Sequence, residues 1–274
     1  MKLLLNDFNI KQLAESGECF RWDKITENSY RGVIYGKVCE VTQNKNEVNF
    51  DGIDEKTLKE YFDLNRDYSA IKAKYKDDYV LNKAYDFGYG IRIMNQEKFE
   101  TLISFIISAN NNIPRIKKSI EKISKMYGEK IMYKGSEYYA FPTPKALSMA
   151  ILEELRSCGV GFRDKYILEA AKKVANGEIN LSEISKLPTE KCKKELLKIK
   201  GVGPKVADCV MLFSMGKIDA FPIDVWIKRI MENLYIKEEK SLKEIEKYAK
   251  EKFGDYAGIA QQYLFYYVRE NKIL

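Results

Sequence analysis

The chain has no histidine in 274 residues. That excludes zinc chemistry of the deaminase type and any histidine general base. A catalyst here must work with lysine, aspartate, glutamate, cysteine or tyrosine. Cysteine is sparse and odd in number, at Cys19, Cys39, Cys158, Cys192 and Cys209, with no CxxC pair, so no disulfide framework is expected. Neither a P-loop nor a GxGxxG motif occurs, which removes the case for a nucleotide-binding enzyme. No signal peptide opens the chain and no apolar run is long enough to span a bilayer. The expected location is therefore the cytoplasm (with the nucleoid in a prokaryote) or the nucleus in a eukaryote, with no membrane association. No cofactor and no metal are expected.

What is present is an ordinary globular composition, 45% hydrophobic and 32% charged, with Lys+Arg exceeding Asp+Glu to give a net charge of +7. The surplus suits a polyanionic partner. The length allows two domains or one large composite domain. Up to about residue 85 the early pattern is β-rich. Tyr30–Tyr35 and Lys37–Thr42 are separated by Gly36, and Asn44-Lys45-Asn46 turns into Glu47–Phe50. A short helix is expected from Glu55 to Phe62. From Glu97 the pattern reads as helical almost to the end. Phe99, Leu102, Ile103, Ile106 and Ile107 form one stripe, which stops at Asn110-Asn111-Asn112 and is followed by Arg115. Three asparagines at a helix end serve as caps and turns, and they are also small polar groups able to enter a duplex. At Gly159-Val160-Gly161-Phe162-Arg163 an aromatic and an arginine fall on a turn, where they pack in their own loop or wedge into stacked bases.

The stretch from Leu196 to Met231 organises the rest. It reads as helix, tight hairpin, helix, loop, helix. Gly201-Val202-Gly203 makes the turn and Pro204 opens the second helix, where its missing N–H costs nothing. Backbone N–H groups at such a turn favour an anion such as a DNA phosphate. Lys205 lies in the first turn of the second helix, where the positive end of the helix dipole is expected to lower its pKa and free its amine as a nucleophile. Asp224 is expected to cap the third helix. Singly, these are a surface lysine and a capping aspartate. With the hairpin between them, their order resembles the helix-hairpin-helix glycosylase superfamily. No cysteine follows Asp224, which disfavours the iron–sulfur branch.

Six blocks in order sharpen that resemblance: SGECFRW at 16–22, SFIISANNNIPRI at 104–116, GVGFR at 159–163, GVGPKVADC at 201–209, PIDV at 222–225 and YAGIAQQYLF at 256–265. Together they resemble the 8-oxoguanine DNA glycosylase/AP lyases of the HhH-GPD superfamily nearly end to end. The resemblance implies an α+β fold, with a small N-terminal antiparallel sheet domain (residues 1–88) on a mostly helical body (89–274) that carries the hairpin at about 190–216. It implies a base-excision repair enzyme that acts on double-stranded DNA, flips out 8-oxoguanine, preferably opposite cytosine, and works as a monomer. Lys205 would be the nucleophile at the sugar C1′, forming a Schiff base, and Asp224 would assist. Gly17 would offer its carbonyl to the N7–H that oxidised guanine has and guanine lacks. Cys209 and Phe265 would sandwich the base, and Gln261 would read its Watson–Crick edge. Asn110 would fill the vacated space, Arg115 and Arg163 would contact the orphaned cytosine, and Phe162 would wedge into the stack. Gly201, Gly203 and Trp226 would meet the DNA backbone. Two positions depart from the family: Phe162 stands where tyrosine is usual, and Trp226 where a histidine phosphate ligand is familiar. The alternatives are a related glycosylase for another damaged base, or a non-catalytic DNA clamp.

Overall fold

The computed structural model describes residues 1–273. Alternation of apolar and polar residues near the N-terminus produces five strands: β1 Lys2–Leu4, β2 Trp22–Thr26, β3 Ser29–Ile34, β4 Lys37–Asn44 and β5 Glu47–Asp51. They form one antiparallel sheet in the order β1-β5-β4-β3-β2. Tyr30 lies opposite Val41, and Val41 opposite Phe50, so all three share a face, and all are buried. Phe8 and Phe62 close over that face, with Phe8 edge-on to Phe50 at 5.9 Å and to Phe62 at 5.4 Å. The expected short helix spans Glu55–Tyr61 and is capped by Asp54, whose Oδ1 accepts from Thr57 N at 2.9 Å.

A second, larger core fills the helical body. Its centre is the Lys98–Ser108 helix, buried on nearly every side, packed against the Pro204–Ser214 helix through stacked Phe105 and Phe213 rings 5.8 Å apart. Helices Tyr68–Ala73 and Tyr79–Phe87 precede residue 88 yet join this core through Tyr68, Ile71, Leu81 and Tyr85. The fold is α+β, a five-stranded sheet in front of a mostly helical body. Among the described residues, no helix is long and apolar enough to cross a membrane.

One expectation is corrected. The helical run after Glu97 is broken by a β-hairpin, β6 Lys130–Tyr133 and β7 Ser136–Tyr139. Its turn, Lys134-Gly135, has positive φ at both residues, the mirror-image turn that suits a two-residue hairpin. The hairpin is held by tertiary contacts that a local pattern does not display. Arg31 of the sheet lies 5.7 Å from both the Tyr133 and Tyr138 rings, and Asp51 pairs with Lys134 at 2.9 Å.

Candidate active site

The hairpin runs from helix Thr189–Leu196 into helix Pro204–Ser214. Gly201 has φ +85, and a Cβ there would meet the Tyr166 ring at 2.9 Å, so both backbone and packing require glycine. Gly203 is the extended N-cap, with open space where a side chain would stand and no side-chain cap of its own. The first N–H groups of this eleven-residue helix therefore face an open surface and await an acceptor. Farther along the helix, Asp208 is clamped by Lys193 at 2.9 Å, and Lys193 also pairs with Glu246 at 2.6 Å. This clamp ties the two hairpin helices to the Leu242–Phe253 helix.

Lys205 is half-buried, and its Nζ lies 5.0 Å from the centre of the Phe105 ring. The expected downward shift of its pKa is corrected. Burial does press it down, but the Cys209 sulfur and the Glu18 and Asp224 carboxyls push it up, and the balance lies above the ordinary lysine value. The dipole argument left out these opposing groups: Cys209, one turn on in the same helix, and two carboxyls from elements distant in sequence. The amine rests as an ammonium and must lose a proton before it can attack. Cys209, one helical turn on, is buried, and burial holds its thiol well above the usual range, so it stays neutral.

The other walls come from the N-terminal turn and the last helix. Gly17 has φ +90, and a Cβ there would collide with Arg269 Nη1. Arg269 donates to the Ser16 carbonyl at 2.7 Å and the Glu15 carbonyl at 2.6 Å, pinning the turn to the Ala257–Asn271 helix. Its guanidinium also lies 5.3 Å from the Phe265 ring. Gln261, one turn before Phe265, is 3% exposed, and its Oε1 has no partner among the described residues. Such an acceptor costs roughly 1–3 kcal/mol unless a ligand supplies a donor. Asp224 caps the Val225–Ile230 helix as expected, its Oδ1 accepting from Ile227 N at 2.8 Å.

Next to Gly17, Glu18 is buried. Desolvation is the chief cause that raises its carboxyl to about 7, opposed by the charges of Lys205 and Arg269 and reinforced by Asp224. Lys205, Cys209, Asp224, Glu18 and Arg269 are thus brought into one electrostatic cluster from four parts of the chain. Sequence reasoning passed over Glu18 and Arg269. Arg269 sits four residues beyond Phe265, on the face already marked by Gln261. Glu18 is an ionisable group inside an otherwise small and apolar turn.

The remaining predicted residues form an exposed rim. Of the three asparagines, Asn111 donates to the Ile107 carbonyl at 3.1 Å and Asn112 caps the Ile113–Tyr127 helix by accepting from Arg115 N at 3.1 Å. Asn110 is left, exposed and in the left-handed region at φ +49. Phe162 is 64% exposed, edge-on to Tyr166 at 6.4 Å. Arg115 and Trp226 are exposed, Trp226 beside Arg229. Arg163 differs from the loop-tip expectation. It is buried, and it donates to the carbonyls of Ala109, Asn110 at 3.1 Å and Val160 at 3.0 Å. Its neighbour Phe162 stays exposed, with its ring over the Arg163 guanidinium at 4.6 Å.

Residues 2–102 match the N-terminal domain of 8-oxoguanine DNA glycosylase, and residues 103–254 match the HhH-GPD superfamily of base excision DNA repair proteins. The chain belongs to the 8-oxoguanine DNA glycosylase/AP lyase family of that superfamily. It is 30% identical to the probable N-glycosylase/DNA lyase of Methanothermobacter thermautotrophicus, over 100% of this chain and 97% of that protein. It is also similar to the Clostridium acetobutylicum 8-oxoguanine glycosylase/lyase in complex with dsDNA containing cytosine opposite to 8-oxoG: TM-score 0.94, 47% identity, covering 98% of this chain and 94% of that one. The 3-methyladenine DNA glycosylase of Archaeoglobus fulgidus shares the fold at TM-score 0.80 and 25% identity, covering 98% of each chain. Glycosylases for alkylated bases thus keep this architecture, so the choice of base rests on the pocket.

Proposed function

We infer that this protein removes 8-oxoguanine from double-stranded DNA, preferably opposite cytosine, and cleaves the abasic strand that results. The observation that carries the reading is Lys205: an amine on the first turn of the hairpin helix, set in one cluster with Glu18, Cys209 and Asp224. The open N-terminus at Gly203 receives a backbone phosphate. The lesion leaves the stack at a cost of roughly a few kcal/mol, which Phe162 offsets as a wedge while Asn110 occupies the vacated space. Cys209 and Phe265 hold the extruded base between them. The unpartnered Gln261 oxygen accepts from the N–H groups of its Watson–Crick edge, and the Gly17 carbonyl accepts from N7–H. Unoxidised guanine would set a second acceptor against that carbonyl, leaving both unpaired.

Once deprotonated, Lys205 attacks C1′, the glycosidic bond breaks, and the sugar opens to a Schiff base that permits β-elimination. Asp224, fixed by its capping bond, stabilises the positive charge that develops on the sugar. Arg115 approaches the orphaned cytosine from the rim. Arg163, with most of its donors occupied, acts chiefly by holding the Asn110 turn. The protein acts as a monomer, wherever the chromosome lies.

The test is incubation with duplexes bearing 8-oxoguanine, an alkylated base or no lesion, with borohydride present. Trapping of a covalent adduct on the 8-oxoguanine duplex is expected, and Lys205→Gln should abolish it while keeping binding. Equal trapping by the variant would remove Lys205 as nucleophile. Preferential excision of the alkylated base would give that reading the stronger claim.

A further inference from the structure

Glu18 has no part in the chemistry above, yet the fold invests in placing it. Its turn is fixed from three sides. Arg269 holds the carbonyls of Glu15 and Ser16, Gln96 Nε2 donates to the Glu18 carbonyl at 3.0 Å, and Phe20 packs edge-on against Phe105 at 5.6 Å. Phe105 is the ring beside which the Lys205 amine lies. Glu18 itself is 8% exposed, and among the described residues no hydrogen bond or ion pair engages its carboxyl.

Lys205 rests as an ammonium, so the reaction needs a group to take its proton. The titratable and charged groups that act on Glu18 are Lys205 and Cys209 from the hairpin helix, Asp224 from the loop before the third helix, and Arg269 from the last helix. Lys205 and Arg269 are cations. Cys209 is a neutral thiol. Asp224 has one carboxyl oxygen committed to the Ile227 cap. Glu18 is the free carboxyl, and burial sets its proton affinity close to neutrality, where a general base is most effective.

We propose that Glu18 is the general base that accepts the proton of the Lys205 ammonium and so readies the amine for attack. This rests on the reading of Lys205 as the nucleophile. At rest the Glu18 carboxylate lies beyond ion-pair distance of Nζ, so the proton passes from Nζ to it through one bridging water, and the freed lone pair forms the Nζ–C1′ bond. The glycosidic pair leaves with the base, and the departing base takes the proton back from Glu18. No oxidant, reductant or further reactant is needed.

Single-turnover excision on an 8-oxoguanine:cytosine duplex, measured from about pH 5.5 to 9 with parallel borohydride trapping, tests this. The acceptor must be ionised, so the parent rate should rise with pH along a limb centred near neutrality. Glu18→Gln should lower the plateau roughly 10²-fold and abolish that limb, while Glu18→Asp should restore it in part. Binding to a duplex carrying an uncleavable abasic analogue should stay within about twofold for both variants. A Glu18→Gln profile with the parent's limb and plateau overturns the proposal. If that variant does not fold, a parent profile flat between about pH 6 and 8 overturns it as well. A parent that excises without ever trapping removes the Lys205 reading and this proposal with it. A parent that traps while Glu18→Gln behaves identically removes the proposal alone.

Discussion

In the pocket, Glu18, Cys209, Gln261 and Phe265 are all buried; on the rim, Asn110, Arg115, Phe162 and Trp226 all meet solvent. The two regions use charge differently. Inside, with little water to screen them, Lys205, Asp224 and Arg269 act on the proton affinity of Glu18, and Glu18 and Asp224 on that of Lys205, across elements far apart in sequence. Outside, charges are screened and the side chains are largely in solvent. What the fold specifies there is backbone: a left-handed residue at Asn110, and a turn that sends Phe162 outward. On the proposed function, chemistry falls to the preset interior and duplex distortion to the exposed rim. Arg163 belongs to neither class. It is a buried cation spent on rim carbonyls, and it is the physical link between the Asn110 turn and the Phe162 turn.

That link gives the largest expected effect. Arg163→Ala leaves several carbonyls without their donors and should cost about 2–4 kcal/mol of stability in urea melts. Excision should slow with every opposite base, because the Asn110 turn loosens. If stability is unchanged and only the preference for cytosine is lost, Arg163 abandons its carbonyls to read the base, and its bracing role is wrong.

A smaller effect tests the pocket. Phe265→Ala should weaken binding to an 8-oxoguanine duplex by about 1–3 kcal/mol, the usual worth of one stacked base. Undamaged duplex should bind nearly as before, since phosphate contacts dominate it. Equal losses on both duplexes would show that Phe265 supports the protein rather than the lesion.

The smallest effect belongs to the rim. On the proposed wedge role, Phe162 supplies the ring but lacks a hydroxyl, and one neutral hydrogen bond is worth roughly 0.5–1.5 kcal/mol. Phe162→Tyr should sharpen the preference for cytosine several-fold in single-turnover excision opposite C, A, G and T. Identical profiles for parent and variant would refute that role.

The same division explains what the sequence disclosed. Strands, caps and the hairpin are local: Asp224 at its N-cap and the Tyr30–Phe50 meander follow from spacing alone. The blocks carrying Gly17, Lys205, Cys209 and Gln261 were legible because their order resembles a known family. The direction of the Lys205 shift was not, because besides Cys209 on its own helix it depends on Asp224 and on a carboxyl 187 positions earlier in the chain. The β6–β7 hairpin was hidden for a similar reason, being held by Arg31 and Asp51 of the sheet. The inward turn of Arg163 depends on carbonyls more than fifty residues away.

The most direct measurement is the identity of the attacking residue. Borohydride-trapped adduct on an 8-oxoguanine duplex, digested and mapped by mass spectrometry, should carry the reduced sugar on Lys205 and on no other lysine. A cross-link at a different lysine, or at the N-terminal amine, would contradict the account.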